Sequence, residues 1–481
     1  MNPFAIAWKR IMALTALVLA VLATVAPTTV AAAPLSTTST ATPLPTNDPL
    51  PLPALHATVN PLSNVSEASD GYLVVADTEA QRLYVYSIPS FELAAKFDEI
   101  ELGAHAGTVA LPDGRLLIPD ERNKQLAVLK LARDRQPAIV ARAPLPSFIG
   151  LRQDWSAVDL GLQYYFSTSG DSQSPIDVLS IVNLQDYTTK QLKFDLKEPD
   201  SEFGVTAGGD APVVLTHLAE AVEAYSLESL LDSDVTLDSL INGELQPSST
   251  IPVGEGGHGA AFSHHLGLGA FSTLAGLEVV SLTGTTLSDH HILPWDADGR
   301  SGGRNARPRL SYDGNYIYGP LAAIVEPEEW AERQNDIHIA NLKQGRVKRI
   351  ELAKGIVGRW GISEPYALFF NIHPDGDYAH LMDVDPDSTT FQEIVARIKL
   401  DPLTNPLVPG SPTTEAESRF AAITPDGDWA FVSHGGDGIV SVIDTQKQQV
   451  IKKLEIPTSL KGGGYLVAVQ PGARLVDTAG R

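Results

Sequence analysis

The sequence has no cysteine among its 481 residues. That excludes disulfides, a thiolate metal site, a Cys-x-x-Cys-His haem attachment and a lipid-modified N-terminal cysteine. Positive charge is also scarce: 35 Lys and Arg stand against 58 Asp and Glu, for a formal net charge of −23. Phosphate binding needs a basic face, so nucleic acid is not an expected partner. Catalytic signatures are missing too. No Gly-x-Ser-x-Gly elbow, His-Glu-x-x-His pair or phosphate-cradling loop is present, and "GEGGHG" and "KGGGY" open no predicted helix.

What is present begins with export. Lys9 and Arg10 precede an apolar run from Ile11 to Ala26 and then the small residues "TVAAAP". This pattern predicts a signal peptide over residues 1–32, cleaved after Ala32, and a periplasmic or extracellular, cell-surface location. The apolar run is short for a bilayer span of about 20 residues, so no membrane span is expected in the mature chain. Residues 33–62, rich in Pro, Ser and Thr, predict a disordered spacer. The ordered domain is expected over 63–471, with a flexible tail over 472–481.

The ordered part repeats itself. In "FAAITPDGDWAFVSHGGDGIVSVID" a short strand meets the turn Pro425 to Asp428, a second strand runs to His434, and a third ends at Asp444. Similar units put Asp77, Asp120, Ser169, His217, Thr273, Pro320, Asp383 and His434 in register at the end of the second strand, 43 to 63 residues apart. That period fits an all-β propeller of four-stranded blades, eight in number, with seven as the alternative. The first unit lacks its innermost strand, and "GGGYLVAVQP" is a strand with no unit of its own. Donating the second to the first closes the ring and removes exposed edges.

The "PDG…V…DGxVSVID" pattern resembles the YVTN-type bacterial β-propellers. Within that group the last third, and "GGHGAAFS" at 256–263, are similar to the periplasmic zinc metallochaperone (AztD-like) propellers. The resemblance implies a secreted, non-enzymatic zinc carrier that passes its metal to the solute-binding protein of an importer. The chain departs from that family in having no His-rich, Asp-containing segment before or within its early blades. Only His56 stands in the spacer.

In an antiparallel blade the start of the first strand and the end of the second share one face. His105 and His258 precede first strands, and His217 and His434 end second strands, so all four are expected at one channel mouth, with Asp77, Asp120 and Asp383. Zinc takes three or four imidazole and carboxylate ligands at about 2.0–2.2 Å. The expected ligands are His434, His258, His217 and His105, completed by Asp77 or Asp120, as one site or two half-sites. For each histidine the plainer reading is a polar turn residue bonded to backbone or water. His264-His265 and His290-His291 are expected in loops, His338 and His380 within strands, and His373 on the opposite face.

Two other readings compete. Arg304, Arg307, Arg359 and Arg419 precede first strands of the sixth to eighth units, where guanidinium groups could hold an anionic, haem-like cofactor of a propeller enzyme or pair with acidic neighbours. Alternatively the domain is a surface or cell-wall protein-interaction module without metal. Either way the expected state is a monomer.

Overall fold

Turn chemistry sets the blades. Asp113, Asp313 and Asp426 each accept the backbone N–H two residues on, from Arg115 at 2.9 Å, Asn315 at 3.0 Å and Asp428 at 3.1 Å. The glycine after each aspartate takes a positive φ, +82° at Gly114, +73° at Gly314 and +79° at Gly427. A Cβ is strained there, so Asp-Gly specifies a tight reversal between first and second strands.

The computed structural model describes residues 71–475 apart from 99, 103–106, 134, 146–151, 171–174, 197–203, 209–212, 218–219, 256–258, 296–307, 324, 405–418 and 462–463. The signal peptide and spacer expected over 1–62 lie outside the described residues. Eight four-stranded antiparallel sheets follow one another along the chain. The chain is an eight-bladed β-propeller, and the seven-bladed alternative falls away. Among the described residues no helix is long and apolar enough to cross a membrane.

Burial grades outward within a blade. In blade 8 the second and third strands, Trp429–His434 and Ile439–Asp444, are buried almost throughout, whereas the outermost, Gln449–Glu455, is largely exposed. Inner strands are covered on both faces by neighbouring blades, so they read as continuous apolar runs. The outer strand keeps a wet face.

Ring closure follows the sequence expectation. Tyr465–Val469 pairs antiparallel with Gly71–Asp77, Val75 opposite Leu466, as the innermost strand of blade 1. One buried cluster joins Leu73 and Val75 of blade 1, Ile118 of blade 2 and Phe431 of blade 8. Each such side chain contributes about 1.5–3 kcal/mol by leaving water.

Blade 7 departs from the expected register. Its second strand is Tyr366–Asn371, and Asp383 ends the third, Tyr378–Asp383. "HPDG" at 373–376 therefore joins the second and third strands. A Pro-Asp-Gly turn suits any tight hairpin and does not encode which hairpin it makes. His373 thus moves to the face that carries His434, and Asp383 leaves it. In blade 6 the second strand runs on to Ala322, leaving Pro320 inside it.

Candidate functional site

Strand direction puts the blade-to-blade connectors and the turns from second to third strands on one face, here the connector face. It carries Asp77, Asp120 and His434 at strand ends. His217 ends its strand there as well, paired in backbone register with Gly204 and Val222. His105 and His258 lie outside the described residues, but their described neighbours, Leu102 and Gly107, Glu255 and Gly259, are on connectors of this face.

Both aspartates hold backbone. Asp77 Oδ1 accepts the Ala80 N–H at 2.9 Å and Oδ2 accepts the Leu460 N–H at 3.0 Å. Asp120 Oδ1 accepts the N–H groups of Glu101 at 3.3 Å and Asn123 at 3.4 Å, while Oδ2 takes the amides of Asn123 at 2.7 Å and Gln125 at 3.0 Å. Leu460 and Glu101 belong to the connectors entering blades 1 and 2. Blade 7 makes the analogous tie with Asn371, whose amide donates to the Lys354 carbonyl at 3.1 Å. The turn bond itself is not special to this face, because Asp444, at the other end of a blade, accepts the Lys447 N–H at 2.9 Å.

His434 is buried, and its Nε2 is hydrogen-bonded to Ser441 Oγ of the third strand at 2.8 Å. Burial first, then the Arg419 charge, pushes its pKa down to about 3, with Asp401 and Asp437 opposing. Blade 7 reverses the pair: Asn371 Oδ1 bonds His380 Nε2 at 2.8 Å, and burial, with Arg397, pushes that imidazole down to about 4. In blade 5 the partners are Thr273 and Glu278, at 2.8 Å. These blades therefore share a polar bridge from the end of the second strand, or the residue just after it in blade 5, to the third, which keeps buried polar atoms satisfied. His434 belongs to that series, and its imidazole stays neutral, the form that ligates metal.

The arginines divide. Arg419 is fully buried, with Nε and Nη2 on Asp377 Oδ2 at 2.9 and 2.6 Å, and it also donates to the carbonyls of Asp401 at 2.5 Å and Ser433 at 3.3 Å. Arg359 lies over the rings of Phe420 and Tyr465, 5.7 and 5.6 Å from their centroids, and Arg309 lies 5.4 Å over Trp360. Arg304 and Arg307 lie outside the described residues. Arg309 and Arg359 thus lean on aromatics of following blades, a cation–π contact worth about 0.5–2 kcal/mol. The dipeptides Arg359-Trp360 and Arg419-Phe420 ahead of first strands were the sequence signal for these contacts.

A further buried acid had no sequence flag. Glu278, in the third strand of blade 5, accepts the Gly254 N–H at 2.6 Å and contacts His290 Nε2 at 2.7 Å. His290 and His291 lie on the outermost strand of that blade rather than in a loop. His265 does sit in a turn, with Nε2 3.1 Å from Asn315 Oδ1. His338 is buried in its strand, edge-on to Trp295 at 4.8 Å between centroids. Among the described residues no group of three or more His, Asp or Glu side chains is arranged to hold a metal ion.

No protein-family model and no curated protein matches the sequence. Solved structures do match in fold. Apo AztD from Citrobacter koseri superposes with a TM-score of 0.59 at 11% identity, covering 84% of this chain and 98% of AztD. The chain has the fold of the AztD propellers. A second structure of Citrobacter koseri AztD gives a TM-score of 0.54 at 12% identity, over 85% of this chain and all of that one (100%). NirN, a dihydro-heme d1 dehydrogenase solved in complex with DHE, gives 0.53 at 17% identity, over 86% of this chain and 78% of its own. Identities this low carry the fold and nothing finer.

Proposed function

We propose that this chain is an exported, non-enzymatic propeller that binds zinc as cargo on its connector face and passes it to an import system through a solute-binding protein. The observation that carries the reading is positional. Second strands of blades 4 and 8 end in His217 and His434, and the described residues beside His105 and His258 lie on the same face. In a ring of eight, blades 4 and 8 stand opposite, so the assigned ligands divide into two half-sites: His217 with His258, and His434 with His105, the second completed by Asp77 or Asp120. Nε2 of His434 is held by Ser441, which leaves Nδ1 as the ligating nitrogen while that bond orients the ring. The aspartates would ligate through lone pairs beside the ones that hold backbone or side-chain amides. The resemblance to periplasmic zinc metallochaperones and the likeness to AztD support the same reading.

Metal analysis of stripped protein tests it. The expected result is uptake of about one or two zinc ions per chain at neutral pH. Uptake should weaken below about pH 6 where ligand imidazoles of ordinary basicity protonate, although His434 itself, pushed down to about 3, stays neutral there. It should be lost in a His258→Ala/His434→Gln double variant that keeps its fold. No uptake, or full uptake by that variant, refutes the proposal.

A second reading has an observation of its own, the fold likeness to NirN together with Arg309 and Arg359 near the first-strand ends. It makes the chain a binder of an anionic, haem-like cofactor. An absorbance spectrum of the isolated protein separates the two readings, because a haem-like group absorbs in the visible and zinc does not.

A further inference from the structure

The residues after the closing strand bind the ring at the face opposite the connectors. Gln470 exchanges two hydrogen bonds with Asp426 in the blade 8 turn: its Nε2 donates to Oδ2 at 2.6 Å, and its Oε1 accepts the Asp426 N–H at 3.2 Å. The Pro471 carbonyl accepts from Arg133 of blade 2 at 3.4 Å, and the Gly472 N–H donates to the Pro112 carbonyl of the same blade at 2.7 Å. Arg474 then donates to the Tyr312 carbonyl in the blade 6 turn. Leu475 packs on the core cluster that holds Val109 and Leu111.

Blades 2 and 6 stand opposite one another in a ring of eight. A segment fastened to both therefore crosses the channel. Behind it lies a cavity of about 200 Å³, lined by innermost strands such as Ala421–Ile423 and Tyr465–Val469 and by Ala473, Arg474 and Leu475 themselves. Tyr312 is half-buried there, and burial, with the Glu364 charge, pushes its hydroxyl pKa up to about 12.

We propose that residues 471–475 form a strap that shuts the channel at this face, so that the cavity is a blind pocket filled and emptied only from the connector face. The strap makes the two faces unequal whatever the cargo is. It needs no side chain of the zinc reading, and the two can fail separately.

The lack of native cysteine provides a clean probe. Ala468 lines the cavity near the strapped end, so Ala468→Cys reports access through that end. A maleimide carried on a bulky polymer should label it at least about ten-fold faster once the strap is weakened by Arg474→Ala/Leu475→Ala in the full-length chain, or removed by deleting residues 471–481. Ala430→Cys, in the blade 8 core, should stay unreactive wherever the ring remains folded. If the deletion exposes Ala430→Cys as well, the full-length double variant decides alone. Equal labelling of Ala468→Cys with and without the strap contacts overturns the proposal.

Discussion

Asp77 and Leu460 lie 383 residues apart in sequence, and the Asp77 carboxylate accepts the Leu460 N–H at 3.0 Å in the buried seam where the ring closes. The same carboxylate holds the Ala80 N–H at 2.9 Å. Hydrogen bonds to a charged acceptor are worth about 1.5–3 kcal/mol each, and removing the acceptor leaves two donors unpaired. Asp77→Ala should therefore destabilise the propeller by about 3 kcal/mol, with Asp77→Asn intermediate because one acceptor oxygen survives. Thermal melts of the three proteins check the ranking. An Asp77→Ala protein that melts with wild type would contradict the latch.

Arg419 and Asp377 form a buried pair, with side-chain exposures of 0% and 7%. Replacing one partner strands the other charge in the core, which costs about 3–5 kcal/mol. Arg419→Met and Asp377→Asn should each lower the denaturation midpoint strongly, whereas Arg359→Met, which gives up a ring contact, should cost about 1 kcal/mol. Comparable losses at all three positions would mean that Arg359 is equally structural.

Propeller class, blade count and closure were legible because they rest on local signals spread along the chain: Asp-Gly turns in blades 2, 6 and 8, strand pairs recurring at a blade's spacing, and one strand without a unit. Register in blade 7 was not legible. The signal for a first-to-second turn, Pro-Asp-Gly, is spent there on the next hairpin, while Ser363-Glu364-Pro365 makes the reversal the sequence left unmarked. The face of His434 was legible too, but not where its ring points. A strand-end side chain turns inward or outward according to what the third strand offers, and Ser441 offers a bond. Nor could spacing reveal that Asp77 and Asp120 hold connectors, since those partners lie in segments with no motif of their own.

His434 and His380 make the fold acid-sensitive in a definite direction. Their folded-state pKa values are pushed down from 6.5 to about 3 and about 4. The unfolded chain therefore binds protons that the folded chain refuses. Their stabilisation is fully present above pH 6.5 and is lost as pH falls, down to about 4 for His380 and about 3 for His434. Each contributes a slope approaching about 1.4 kcal/mol per pH unit within its window. Denaturation midpoints measured from about pH 7 to about pH 4 should fall, and should fall less steeply in His380→Gln/His434→Gln. An unchanged slope in that variant would assign the acid sensitivity elsewhere.

Glu278 gives the last prediction, because it fixes the connector that carries His258. Its Oε1 accepts the Gly254 N–H at 2.6 Å, and a Cβ on Gly254 would stand 2.6 Å from that same oxygen, so either the carboxylate or the connector must shift to admit a larger residue. The far side of the segment is pinned by the Gly259 carbonyl, which accepts the Ser272 N–H at 2.9 Å. Gly254→Ala must part the connector from the Glu278 carboxylate, whichever of the two moves, at a cost of about 1–3 kcal/mol for the crowding. Glu278→Gln keeps an acceptor for Gly254 but loses the charge opposite His290. If His258 ligates zinc, Gly254→Ala should weaken uptake well beyond its loss of stability, and Glu278→Gln should weaken it less. Zinc titrations of both variants at a temperature where each is folded decide the matter: affinity unchanged in Gly254→Ala would take His258 out of the ligand set while leaving the Glu278 anchor intact as a feature of the fold.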